Sequence, residues 1–469
     1  MQTFSPFRLL RFALLLAALV AIAPAWAGPR IQHWINDHGA RVFFVESRSL
    51  PLIDLRVDLS AGSARDPSDK AGLAEMTRGL LATGSDGLDE QKIAERIADS
   101  GARIGGSVDD DRAGLSLRTL ASPAERDAAV ALAAGLLARP DFPQAALDRE
   151  RDRAIAALRD ALTRPATLAS RAFQQLAFGT HPYGVLTTVE SLQRIRRDDL
   201  VDFHRSHYTA GNATVSIVGD VDRATAERIA NTLTERLPRG ASMLPPSAPG
   251  MPERRIERIE HPSSQAHILA GMPGMSREDP DYYPLLVGNY ILGGGGFVSR
   301  LTHEVREKRG LAYSVYSYFQ PRQVAGPFQI GLQTRGGQAD EALSVVQEVL
   351  ADFIANGPTD EELKAARDNL VNGFGLRLDS NAKILDHVAM IGFYGLPLDW
   401  LDAYPGRVEA VTVESIRDAF ARRVRSEHLV VVVAGGSGDP SSSSASGGST
   451  NPSTAQAAPS TAAGRTAGH

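Results

Sequence analysis

Arg306 and Tyr313 stand seven positions apart in the segment Arg306-Glu307-Lys308-Arg309-Gly310-Leu311-Ala312-Tyr313. Both side chains can donate hydrogen bonds to an oxygen that gains negative charge during attack on a carbonyl. Gly310 suits a helix C-terminus, and an alternating strand begins at Tyr313. From spacing alone, Arg306 reads as a solvated helix residue and Tyr313 as a half-buried strand aromatic. Upstream, Gly293-Gly294-Gly295-Gly296 permits backbone conformations closed to other residues and the close approach of a ligand chain. A helix-to-helix turn is the plainer use of the same glycines. No strand–turn–helix context supports a nucleotide-binding loop there.

The histidines offer little metal chemistry. His204 and His207 lie three apart on an expected helix, a spacing that could hold a metal, but no third ligand is near in sequence. They read as solvent-facing imidazoles ahead of Tyr208. His303-Glu304 is half of an H-E-x-x-H motif, with Glu307 in place of the second histidine. His181 sits in the turn Gly179-Thr180-His181-Pro182-Tyr183-Gly184, where turn structure is its expected role. No Ser/His/Asp or paired-carboxylate pattern points to a self-sufficient hydrolase. The chain has no cysteine, which excludes disulfides, thiolate metal sites and a lipid-modified N-terminal cysteine.

The elements that must position these residues occur twice. Leu115-Ser116-Leu117-Arg118-Thr119 resembles Ile330-Gly331-Leu332-Gln333-Thr334, and Val215–Gly219 resembles Val430–Ala434, both at an offset of 215. Asp66-Pro67 and Asp279-Pro280 nearly share that offset, so duplication is the economical explanation. Leu52–Leu59 and Ala266–Ala270 are short apolar runs expected to be strands. Ser122–Leu137, Gln144–Leu162, Ala339–Ile354 and Asp360–Phe374 carry apolar residues at helical spacing, with Ser122-Pro123 forming an N-cap and first-position pair. The expected fold class is α+β, as two similar domains whose mainly antiparallel sheets are covered by helices.

At 469 residues, 43% hydrophobic and 22% charged, the chain suits two globular domains. Its net charge of −5 supplies no basic stripe for nucleic acid and no polybasic membrane patch. Arg8 and Arg11, the apolar run Phe12–Ile22 and Ala25-Trp26-Ala27 read as a signal peptide over 1–27, with cleavage expected before Gly28. The alternative, an uncleaved anchor helix, is disfavoured by the short run and by Pro24 at its end. The expected organisation is an N-terminal domain over 28–237, a Pro/Gly/Ser-rich linker over 238–253 and a C-terminal domain over 254–434. Residues 435–469 are low-complexity and expected to be disordered. With no other stretch apolar enough to span a bilayer, the expected location is the periplasm without a stable membrane anchor.

Residues 56–84 (RVDLSAGSARDPSDKAGLAEMTRGLLATG) and 292–319 (LGGGGFVSRLTHEVREKRGLAYSVYSYF), with the duplication and His181-Pro182-Tyr183-Gly184, resemble the pitrilysin, or inverzincin, zinc metallopeptidases. The resemblance covers Ile31 to Val433. Active members of that family carry H-x-x-E-H, two histidines one helical turn apart that bind zinc and a glutamate that activates water. The matching positions here are Glu75-Met76-Thr77-Arg78-Gly79, and the family's third ligand, a later glutamate, aligns with Ala157. All three ligands are absent, and the fixed positive charge of Arg78 would oppose a divalent cation.

The resemblance therefore implies a non-catalytic subunit with no cofactor of its own, paired with a homologous zinc-bearing subunit. In that family an Arg/Tyr pair binds substrate across the chamber, the role it implies for Arg306 and Tyr313. Gly293–Gly296 would correspond to a shortened glycine-rich substrate loop, and extended peptides would add a strand to a sheet edge, that of the partner. A structural or peptide-binding scaffold without peptidase work is the alternative.

Overall fold

The computed structural model describes residues 28–437, so the expected leader and the tail beyond Ser437 lie outside the described residues. The first half builds a six-stranded sheet from β1 (Gln32–Ile35), β2 (Arg41–Glu46), β3 (Leu52–Leu59), β6 (Arg103–Gly105), β7 (Ala113–Leu120) and β8 (Ala213–Gly219). The short strands β4 (Gly84–Ser85) and β5 (Leu88–Asp89) pair separately. The second half builds a five-stranded sheet from β9 (Arg255–Ile259), β10 (Gln265–Pro273), β11 (Ser314–Phe319), β12 (Pro327–Arg335) and β13 (Val430–Gly435). The strand orders are β1-β2-β8-β3-β7-β6 and β9-β13-β10-β12-β11. Leaving out β1, they are the same topology. In each sheet a single pair is parallel, β2–β8 and β9–β13, and these occupy equivalent places.

The helices repeat with the sheets. Pro123–Ala138, Pro165–Phe178 and Arg197–His207 recur as Ala339–Asn356, Asn381–Tyr394 and Val413–Arg423, each starting 216 positions later. Ser122 stands before its helix as expected, but its hydroxyl bonds the Glu125 carboxylate rather than a helix N–H.

The halves interlock. Helix Pro165–Phe178, from the first half, packs on β10 and β13, while helix Asn381–Tyr394, from the second, packs on β8, β3 and β2. Each sheet is thus covered on both faces, one by its own helices and one by its neighbour's. That explains why β8 is buried along its whole length and why Val430 to Ala434 form an unbroken apolar run. One apolar cluster joins Ala169, Phe173 and Phe178 to Leu269, Val430 and Val432, so its members come from both halves.

The opposite seam is polar. Asp54, Arg56 and Asp58 of β3 point toward the borrowed helix, where Arg118 pairs with Asp54 at 2.6 Å and Arg56 with Asp58 at 2.7 Å. At the centre, the Asp111 carboxylate accepts from the Tyr183 and Tyr394 hydroxyls and from the Gln323 N–H. Beside it Arg322 pairs with Asp110 at 2.6 Å.

The stretch 238–253 has no regular structure, but it is strapped to the first half. Arg65 donates to the Leu244 carbonyl at 2.5 Å, and Met243 N–H donates to Asn212 at 3.3 Å. Strand β13 runs through Gly435, and Gly436 N–H and the Ser437 hydroxyl bond to residues 263 and 261. Order therefore extends past position 434, where the low-complexity composition had set the start of the tail.

Candidate functional site

The segment at the zinc-motif positions is a short helix, Leu73–Gly79, entered through Gly72. Before it the chain folds back so that the Asp66 carboxylate accepts from Gly72 N–H at 2.7 Å and Ala74 N–H at 2.8 Å. These bonds satisfy donors that the first turn leaves open. Burial pushes the Asp66 carboxyl up to about 7 despite those donors.

Leu73, Ala74, Met76 and Thr77 form the buried face of this helix, which leaves Glu75 and Gly79 on its exposed face. A Cβ at Gly79 would meet no atom within 4 Å. Arg78 folds back toward the sheet, its Nε 3.5 Å from the Gly114 carbonyl, with desolvation lowering the guanidinium from its ordinary value and Glu75 opposing that shift. Desolvation likewise raises Glu75, with Arg78 opposing. Helix Gln144–Ala161 packs against this one, with Ile155 buried and Ala157 exposed. The open face thus offers one carboxylate, one guanidinium and two positions without a ligating group, no set for a tetrahedral zinc. Among the described residues no three His, Asp or Glu side chains gather as a metal would require.

The histidines serve the fold. His204 is buried rather than solvent-facing, its Nε2 2.8 Å from the Leu137 carbonyl and its ring stacked on Tyr208. His207 is partly buried, stacked on Phe203 with Nδ1 2.9 Å from the Phe203 carbonyl. The sequence reading placed both in solvent because helical spacing alone does not show that helix Arg197–His207 is packed on this side. Burial lowers both imidazoles, favouring the neutral ring. His181 caps the turn at Tyr183 N–H and lies 2.8 Å from the Ser247 carbonyl, so it anchors the linker. His303 meets Glu307 at 3.0 Å, while Glu304 pairs with Lys308 and Arg309.

The second constellation is assembled by two π-helical turns, Tyr290–Gly294 and Thr302–Glu307. Such turns often mark functional sites. The i→i+5 bonds are Gly295 N–H to Tyr290 O at 2.7 Å and Lys308 N–H to His303 O at 2.9 Å. Gly293 passes so close to strand β11 that a Cβ would stand 2.6 Å from the Ser317 nitrogen, and Gly294 and Gly295 are similarly crowded by Asn289 and Tyr290. Packing therefore accounts for three of the four glycines, while Gly296, with φ +63°, opens onto empty space. Gly310 N–H bonds Arg306 O at 3.0 Å, closing the second turn at the glycine.

Arg306 and Tyr313 do come together. Tyr313 precedes strand β11 and is 82% exposed, against the half-buried position that strand alternation suggested. Its N–H donates to the Gln333 carbonyl of β12 at 3.3 Å, just ahead of β11, the edge strand of its sheet. The Arg306 Cζ is 5.6 Å from the Tyr313 ring centroid and 5.0 Å from that of Phe297. No acceptor among the described residues lies within hydrogen-bond reach of the Arg306 guanidinium, which is half-buried beside the two rings. Phe297 was missed in the sequence; the only signal was an aromatic directly after a glycine run.

Comparison with known proteins places these features. Residues 42–186 match the family model described as insulinase (peptidase family M16), and residues 194–370 match that described as the peptidase M16 inactive domain. The solved structure of a peptidase M16 inactive domain from Pseudomonas fluorescens is 38% identical, with a TM-score of 0.84 over 86% of this chain and 97% of that one. A Helicobacter pylori protease structure, at 18% identity, shares the fold with a TM-score of 0.78 over 86% of this chain and 99% of that one. Among curated proteins, the non-peptidase homolog YmxG of Helicobacter pylori is 26% identical over 85% of this chain and 92% of its own length. An uncharacterized zinc protease of Streptomyces coelicolor is 31% identical over 56% of this chain and 59% of its own. No described helix is long and apolar enough to cross a membrane. The chain belongs to the M16, or insulinase, peptidase family, as a member related to the YmxG non-peptidase homologues.

Proposed function

We propose that this chain is the non-catalytic subunit of an exported, two-subunit zinc endopeptidase. A homologous partner supplies the zinc and the general base, and this chain supplies Arg306 and Tyr313 as substrate contacts. The observation that carries the reading is the pair itself: a half-buried guanidinium with no acceptor among the described residues, 5.6 Å from the ring of a tyrosine that is 82% exposed. Two such donors held side by side are suited to a carbonyl oxygen turning into an oxyanion. The lost ligands at Glu75, Gly79 and Ala157, and Arg78 at the position of the base, support a reading in which any zinc chemistry belongs to a partner.

A leader cleaved before Gly28 would deliver the mature chain to the periplasm. The new α-ammonium would then stand where Gly28 N already lies 2.7 Å from the Asp402 carboxylate. The scaffold reading is favoured by one observation, the description of the Helicobacter relative as a non-peptidase homolog.

Co-expression with an H-x-x-E-H homologue from the same genome tests the assignment. The expected result is a stable heterodimer with one zinc per pair, a mature N-terminus at Gly28, and peptidase activity that requires both chains. Activity of the partner that is the same without this chain would leave the scaffold reading standing instead.

A further inference from the structure

We infer that Phe297 is a third substrate contact of the Arg306–Tyr313 site, which selects peptides with an aromatic or large aliphatic side chain beside the carbonyl that Arg306 holds. The inference rests on the substrate-contact reading above and deepens it.

Phe297 is 70% exposed and its neighbour Val298 73% exposed, on a short turn between the two π-helical segments. Large apolar side chains at such exposure lose the benefit of burial unless something covers them. Phe297 is not loose, because the Arg306 guanidinium lies over its ring as well as over that of Tyr313, with Cζ 5.0 Å and 5.6 Å from the two centroids. Cation–π attraction of this kind orders both rings while leaving them open to solvent. Gly296, with φ +63° and open space around it, sets the chain direction that turns Phe297 out.

The chemistry of the cluster selects its occupant. Two exposed rings call for an apolar group, and a guanidinium over both of them, with N–H donors that no acceptor among the described residues takes up, calls for an oxygen acceptor within a few ångströms of that group. An extended peptide presents this pairing at every apolar residue, a side chain next to a backbone carbonyl. A purely hydrocarbon surface would leave the guanidinium desolvated without an acceptor, which is costly.

The test uses the mature chain, residues 28–469, and two fluorescein-labelled decapeptides that differ only in a central Phe or Ser. Anisotropy should show the Phe peptide binding about 10-fold tighter, the scale of one well-packed aromatic contact. Phe297→Ala should bring the two peptides to the same Kd, Phe297→Leu should retain most of the preference, and Arg306→Ala should weaken both peptides. Equal affinity of the wild-type chain for both peptides, or a preference that survives Phe297→Ala, overturns the inference. Concentration-dependent self-association abolished by Phe297→Ala, without peptide discrimination, would instead assign the patch to a second copy of the chain. Turnover of the assembled heterodimer is a separate readout. If Tyr313→Phe alters turnover while peptide discrimination is absent, only the role of Phe297 falls. If discrimination is present and turnover is unaffected, the catalytic role in trans falls.

Discussion

The Tyr394 hydroxyl, at the end of a helix from the second half, donates to the Asp111 carboxylate of the first half at 3.0 Å. Asp111 is buried and Tyr394 half-buried, and burial raises the Asp111 carboxyl even though Tyr183, Gln323 and Tyr394 all donate to it. Removing one donor from a buried acid leaves an acceptor poorly satisfied. Tyr394→Phe should therefore lower stability by about 1.5–3 kcal/mol, the usual range for a hydrogen bond to a charged group. Because each sheet is completed by the other half's helix, the loss should shift one cooperative transition for the whole chain. Calorimetry resolving two transitions, with only one displaced, would contradict the interlock.

Asp66 gives stability a pH signature. Its carboxyl is raised from 3.8 to about 7 by burial. The folded chain therefore binds this proton more tightly than the unfolded one, and between those values folding is linked to proton uptake. On this account stability is highest below about pH 4 and declines as pH rises toward 7. Asp66→Asn should remove that slope while weakening one helix-capping contact. The comparison is the unfolding free energy of the two proteins in urea from pH 4 to 8. A difference that does not change across this window would show that Asp66 does not titrate as its burial requires.

Much of this was legible in the residues. The repeats at Leu115 and Ile330, and at Val215 and Val430, reported a real duplication because they fall on strands at equivalent places in the two sheets, where burial demands apolar runs. The composition of Pro238 to Pro252 likewise marked a stretch without regular structure. The exchange of helices was not legible, since Pro165–Phe178 and Asn381–Tyr394 have the same pattern whichever sheet they cover. The apolar pattern of Leu52–Leu59 likewise gave no sign that Arg56 would face Asp386 of the other half, 4.0 Å away. His204 was misread because helical period shows a face, not what packs on it. Spacing alone did not single out Arg306 and Tyr313, which only the family resemblance picked out, and Phe297 joins them through two π-helical turns that have no reliable sequence mark.

The helix at 73–79 has room for histidines but lacks the surroundings to use them. Glu75 is exposed and a side chain at Gly79 meets open space, so Glu75→His combined with Gly79→His should fold with little change in Tm. Two imidazoles one turn apart still lack a third ligand, and Arg78 keeps a positive charge beside them. Metal analysis of the purified double variant should find well under one zinc per chain. One tightly held zinc per chain would show that another side chain completes the set and that Ala157 does not mark the missing ligand.

Tyr313 and Arg306 separate chemistry from assembly. Tyr313 is 82% exposed with its ring beside Arg306, so Tyr313→Phe removes a hydroxyl without opening a cavity. If that hydroxyl steadies the developing oxyanion in the partner's site, turnover of the assembled complex should fall roughly 10²–10³-fold, the usual effect of losing such a donor. Arg306→Lys keeps the charge but not the planar fork of donors, so it should be impaired as well. Both variants should assemble normally and leave the partner's zinc content unchanged, because neither residue is buried in the core. The loss should appear in kcat more than in KM, since a donor aimed at the transition state contributes little to ground-state binding. Unchanged turnover in the Tyr313→Phe complex would remove the catalytic role in trans and leave the pair as a surface feature of a scaffold.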